Sequence, residues 1–230
     1  ILPSVGNFIC QKSSDEVYDL FGKTNFITFI VYSLTAIGLA LLINDVILIV
    51  AHGDVSYLLD MKVVLAIVGV YYFLGMRQNI VVYKNAYGLY WESRFVPLIT
   101  AILNLTLSIV FGLAIGLVGI FLATIISHII ASIIIETQIL FKHGIKHSVK
   151  NYYFKFIVYA ILLVLEFILC YFVLSFVSIA NVYLAILVKG VIIVAIIALS
   201  YVAIFSKTSG FRFIVDTTKK IFQKRLNKNQ

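Results

Sequence analysis

Residues 95–135 read FVPLITAILNLTLSIVFGLAIGLVGIFLATIISHIIASIII, 41 positions without one Lys, Arg, Asp or Glu. A helix crosses a hydrocarbon core of about 30 Å in about 20 residues, so this run is too long for one crossing and right for two. In its middle, GLAIGLVG (112–119) places Gly112, Gly116 and Gly119 where a chain can bend tightly. The stretch predicts two antiparallel membrane helices joined by a very short turn.

The rest of the chain extends that pattern. It is 62% hydrophobic and 12% charged, with a mean hydropathy of +1.08, whereas a soluble domain is about 45–50% apolar and about 25% charged. A soluble fold of 230 residues could not hide so much apolar surface. Uncharged or nearly uncharged runs recur at Phe26–Ile43, from Lys62 to Tyr83 with Arg77 inside, at Phe156–Val177 and at Val182–Phe205. They are continuous rather than alternating, which argues against an outer-membrane barrel. The expected fold class is all-α and polytopic, with six transmembrane helices at about 24–48, 62–84, 95–115, 117–140, 155–177 and 182–205. Residues 1–23 are expected to hold the end of a preceding helix and an interfacial helix, and 206–230 a basic amphipathic tail. Because the chain begins with Ile1 and no signal-peptide pattern precedes the first span, it reads as the later part of something longer.

Sixteen of the eighteen Lys and Arg residues fall on one side of this topology, with Lys62 and Lys189 as the exceptions. Basic short loops stay cytoplasmic, so both ends are expected there. The net charge of +8 is then a topology signal, and nucleic acid is not an expected partner. In SSDEVYDLF (13–21), Ser13 and Glu16 form a capping-box pair ahead of the apolar Val17, Leu20 and Phe21. In FRFIVDTTKKIFQKRL (211–226), Phe211, Ile214, Val215, Thr218, Ile221 and Phe222 share one side and basic residues the other. Both segments are expected to lie in the headgroup plane.

Several chemistries find no support. There is no phosphate-binding P-loop, no nucleophile elbow and no paired-cysteine motif; Cys10 and Cys170 stand far apart. His143 and His147 have metal-ligand spacing, but Gly144 and the neighbouring lysines favour a loop, so no metal and no cofactor is expected. The outer loops, the longest about 46–61, leave little room for catalytic groups, so an enzyme is not expected. Polar residues inside the spans become the functional candidates. Thr124, His128, Ser132 and Glu136 form an i+4 stripe, read as helix packing for Thr and Ser and as packing or a substrate or proton role for His128. Asn104, Thr106 and Ser108 read as helix–helix hydrogen-bonding groups. Glu166 and Lys189 lie in the last two helices at depths that differ by only about 5 Å in a core of about 30 Å. A lone buried charge is costly, so they are expected to form a structural ion pair.

Two stretches carry a resemblance: ILPSVGNFICQKSSDEVYDLF (1–21) and YYFLGMRQNIVVYKNAYGLYWESRFVPLITAILNLTLSIVFGLAIGLVGIFLATIIS (71–127). The features are Gly75-Met-Arg77, Tyr83-Lys84-x-Ala86-x-Gly88, Pro97-Leu98-Ile99, Asn104 with Ser108, and Gly116-x-x-Gly119-x-x-x-Ala123-Thr124. Over roughly residues 1–140 the chain resembles the C-terminal half of bacterial O-antigen repeat-unit (Wzx-type) polysaccharide flippases. It departs from them at Ser93, where the family usually has an aspartate, and near Asn79, where a proline is common. The resemblance implies a two-lobed fold of the multidrug/oligosaccharidyl-lipid/polysaccharide (MATE-like) superfamily, of which this chain supplies the last six spans and a missing N-terminal lobe the rest. It implies a location in the bacterial cytoplasmic membrane, with the lipid bilayer and an undecaprenyl-diphosphate-linked glycan as partners and flipping of that glycan for polysaccharide biosynthesis as the activity. The alternative within the superfamily is a cation-coupled drug or small-molecule antiporter, for which Glu166 is the acidic candidate.

Against that background, Arg77 lies fifteen residues beyond Lys62, roughly 22 Å deeper at 1.5 Å per residue and about 8 Å short of the cytoplasmic boundary. Lys84, seven residues on, falls on the same face about 10 Å lower. The pair makes a ladder of positive charge that a diphosphate lipid could follow, the guanidinium fork matching phosphate oxygens. Snorkelling to the headgroups is the competing reading for Arg77, and an ordinary topology lysine for Lys84. The expected substrate contacts are Arg77, Lys84 and His128.

Overall fold

The structure, a computed structural model, describes residues 2–226. Among these residues, eight helices longer than two turns run in order: α1 (Leu2–Gln11), α2 (Ser14–Val50), α3 (Met61–Ala86), α4 (Val96–Ile115), α5 (Leu117–Ile145), α6 (Lys150–Leu174), α7 (Val182–Phe205) and α8 (Ser209–Leu226). The six from α2 to α7 are each long and apolar enough to cross a membrane. The protein is an all-α polytopic membrane protein.

The Gly116 turn is as short as a helical hairpin allows. Gly116 adopts φ 65°, a region nearly closed to residues with a Cβ, and α5 starts at the next residue. Gly119 lies directly against the backbone carbonyl of Phe111, so the hairpin closes only because no side chain stands there. Farther down, Asn104 donates to Thr124 (3.0 Å) and Ser127 (3.2 Å), which ties α4 to α5.

α2 is the hub. Phe21 meets Tyr83 of α3 and Phe141 of α5 edge-on, at centroid distances of 5.1 and 5.4 Å. Phe29 stacks on Tyr159 of α6 at 4.2 Å, and Phe26 packs on Phe205 of α7 at 4.9 Å. Such aromatic pairs contribute about 0.5–1.5 kcal/mol each beyond burial. Ser33 and Tyr201 share a 2.6 Å hydrogen bond between α2 and α7. Gly75 of α3 lies against the Tyr32 ring with no room for a Cβ, the close approach that small residues permit where the hydrophobic effect cannot drive helices together. By contrast, α4 packs on α5 alone along most of its length and leaves a broad face uncovered, with Leu98, Ile102, Leu105, Ile109 and Leu113 all exposed.

Two local expectations change, those for the segments at either end of the chain. The segment 13–21 is not a separate interfacial helix. The capping box forms, with Glu16 N–H donating to Ser13 Oγ and Ser13 N–H to the Glu16 carboxylate. The helix it starts continues unbroken into the first span, and Val17 and Phe21 are buried in the bundle. Its 37 residues make a rod of about 55 Å, well beyond a core of about 30 Å.

His143 and His147 do not share a helical face, because α5 ends at Ile145 and Lys146 turns left-handed. His147 instead stacks on Tyr18 at 4.6 Å and meets Asp15 at 3.0 Å, pinning the connection after α5 to the start of α2.

The tail helix α8 is amphipathic, but it docks onto α2, with Gly210 against Phe26 and Phe211 and Ile214 against the core. The side chains of Ile221 and Phe222, and residue Lys228, lie outside the described residues.

Between α2 and α3 the loop is held by Asn44, whose amide exchanges two 3.0 Å hydrogen bonds with the Leu59 backbone. In the same loop the Ser56 N–H donates to Asp54 at 2.9 Å and holds that carboxyl below the usual carboxylate range.

Candidate functional site

Arg77 and Lys84 stand seven residues apart on α3, nearly two full turns, so their stems leave the same face. Across from them α5 departs from α-helical winding: residues Ile129–Glu136 are π-helical, and so are Leu140–Ile145. Five isoleucines fall within the eight residues IIASIIIE, a β-branched run that crowds an α turn. The wider turn brings Glu136 round to α3. There Arg77 Nε donates to Oε2 at 2.9 Å, Arg77 Nη2 to Oε1 at 3.2 Å, and Lys84 Nζ to Oε1 at 2.7 Å. The two cations expected to await a ligand already share a carboxylate.

Exposure separates the three groups. The Glu136 side chain is fully buried, Lys84 is 10% exposed and Arg77 29%. Glu136 is an anion that two hydrogen-bonded cations make tolerable in this setting. The two positive charges against one negative leave a net positive charge, and the more exposed of the two cations is Arg77, a guanidinium fork whose Nε and Nη2 face Glu136. Such a fork engages carboxylates and phosphates in two-point contact, which an ammonium cannot match. Tyr153 of α6 donates its hydroxyl to the Ile134 carbonyl at 3.2 Å, within the π segment.

His128, expected as a substrate contact, lies eight residues before Glu136, toward the Gly116 turn and ahead of the π segment. Its Nδ1 is buried with no hydrogen-bond partner among the described residues. The i+4 stripe on which it lies divides. Thr124 turns to Asn104 on α4, while Ser132 and Glu136 are buried toward the core. The structure thus brings Arg77 and Lys84 together on Glu136 and leaves His128 outside their hydrogen bonds.

Glu166 and Lys189 are not paired. Lys189 Nζ bonds Asp45 Oδ2 of α2 at 2.6 Å. The reason is which face of α7 is buried. Ala185, Ile193, Ile197 and Tyr201 recur at helical spacing on the side that meets α2, and Lys189 falls in that row. Glu166 is buried on α6 between Tyr159 and Cys170, and its Oε2 has no partner among the described residues.

Two charged residues were missed as partners. Glu136 was visible only as one member of a polar stripe, and Asp45 only as the end of a span. An acidic residue inside an apolar run was the available signal for Glu136. Among the described residues, no group of three His, Cys, Asp or Glu side chains is placed to hold a metal.

The fold and site together define a polytopic helical membrane protein with a buried, net-positive ion cluster. Comparison with protein-family models, with curated proteins and with solved structures finds no match.

Proposed function

We propose that this chain is the C-terminal six-helix lobe of a flippase that moves undecaprenyl-diphosphate-linked oligosaccharide units across the bacterial cytoplasmic membrane, with both ends of the segment in the cytoplasm. The observation that carries the reading is the Arg77–Glu136–Lys84 cluster: two cations on one helix face, inside the span, with one carboxylate between them and the Arg77 side chain still partly exposed. Charges within a membrane bundle mark ligand and ion pathways, and a diphosphate headgroup is the anion this arrangement fits. The sequence resemblance over about residues 1–140 points the same way, and the uncovered face of α4 leaves room for the second lobe this reading requires.

The test is complementation of a flippase-deficient strain with the full-length protein carrying substitutions at Arg77. Arg77→Lys keeps charge and topology but loses the fork, and flipping should fall at normal expression. Full activity of both Arg77→Lys and Arg77→Gln would remove the residue from the substrate path.

A second reading, a cation-coupled antiporter, is favoured by Glu166. It is a buried carboxylate in α6 with one oxygen that has no partner among the described residues, the kind of group that takes up and releases a proton during transport. Loss of proton-coupled efflux in Glu166→Gln, with glycan export intact, would favour it.

A further inference from the structure

The cluster has a feature that a phosphate site would not need for binding alone: its cations are occupied from within the chain. Arg77 and Lys84 spend three hydrogen bonds on Glu136, and the carboxylate is fully buried between them. A bare Arg–Lys pair in the span would face a membrane whose commonest anions are singly charged phosphodiesters, and would bind them indiscriminately. Glu136 is tethered to the same bundle, so it competes at a high effective concentration.

We propose that Glu136 is the selectivity element of this site, a built-in counter-anion that a singly charged phospholipid cannot displace and a headgroup with two or more phosphate charges can. The proposal rests on the flippase reading above and names what that site rejects as well as what it admits.

The physical argument is an exchange. A phosphodiester brings one negative charge to replace one, forms no more bonds than it breaks, and leaves a carboxylate that must be rehoused inside the bundle. A diphosphate brings a charge for each cation and enough oxygens to engage Arg77 and Lys84 separately, so displacement gains one ionic contact. The displaced carboxylate has a route out. It terminates the π segment Ile129–Glu136, and converting one π turn to α shifts the register of the helix and turns Glu136 off α3.

Direct binding to the purified full-length protein in detergent tests this, with farnesyl diphosphate and dihexanoyl phosphatidylglycerol as probes. Wild-type protein should bind the diphosphate in preference to the phosphodiester. In Glu136→Gln the phosphodiester should gain affinity and the preference should shrink by at least about tenfold. Because Glu136→Gln leaves two cations without a counter-charge, Lys84→Gln/Glu136→Gln serves as a second variant. It keeps only the more exposed Arg77, and it too should bind the phosphodiester more tightly than wild type. Wild-type preference retained in both variants, or loss of both ligands from both, overturns the proposal and makes Glu136 a structural clamp. No preference in wild-type protein, with binding unchanged in Arg77→Gln, instead removes the flippase reading on which the proposal stands.

Discussion

Replacing Glu136 by Gln should destabilise the bundle strongly. Removing one partner of a buried ion pair costs about 3–5 kcal/mol, because the surviving charge stays desolvated. Two charges survive here, and they differ. Arg77 is 29% exposed and can swing toward headgroup water, while Lys84 is 10% exposed and its ammonium bonds Glu136 alone among the described residues. The loss should therefore sit near the lower end, about 3 kcal/mol, and be carried mostly by Lys84. At about 2–4 °C per kcal/mol for a chain of this size, Tm should fall by roughly 6–12 °C. Lys84→Met in the same background removes the trapped cation, and the double variant should recover about 1–2 kcal/mol, within the usual range for coupled neighbours. Thermal unfolding in one detergent, followed by circular dichroism for the four proteins of the cycle, gives both numbers. A Glu136→Gln protein within about 1 °C of wild type would refute the reasoning, and so would a double variant whose loss is the plain sum of the two singles.

Other consequences can be checked one by one. Lys189→Gln and Asp45→Asn should be non-additive, reflecting their 2.6 Å contact, whereas Lys189→Gln and Glu166→Gln should add to within about 0.5 kcal/mol in the same unfolding assay. Gly75→Ala should cost about 1–3 kcal/mol by forcing a methyl into the Tyr32 ring, and Tyr32→Leu should return part of it. Gly119→Ala should be worse than Gly75→Ala, because the atom it meets is the backbone carbonyl of Phe111, which cannot rotate away; a milder effect at 119 than at 75 would contradict the packing of the α4–α5 hairpin. In whole cells an impermeant thiol reagent should label Ser56→Cys, in the α2–α3 loop, and spare Ser148→Cys, at the opposite end of the bundle; the reverse pattern inverts the proposed orientation.

What the sequence determined by itself was everything that depends on one segment and its solvent. The 41 uncharged residues 95–135 can meet only lipid or protein, and their length allows two crossings. Gly116 marks their turn because few other residues tolerate φ 65°. Ser13 and Glu16 form their capping box within four residues of chain. Partner choice between segments was not determined in that way. Matched depth made Glu166 and Lys189 look like a pair, but depth is one coordinate. The row Ala185–Ile193–Ile197–Tyr201 rotates Lys189 onto α2 and Asp45. Likewise the i+4 spacing of His128, Ser132 and Glu136 assumes α winding throughout. The π turns at Ile129–Glu136 carry Glu136 instead to Arg77 and Lys84, some 50 to 60 residues earlier in the chain. Side-chain pairing depends on how helices rotate and pack against one another, and only the tertiary structure sets that rotation.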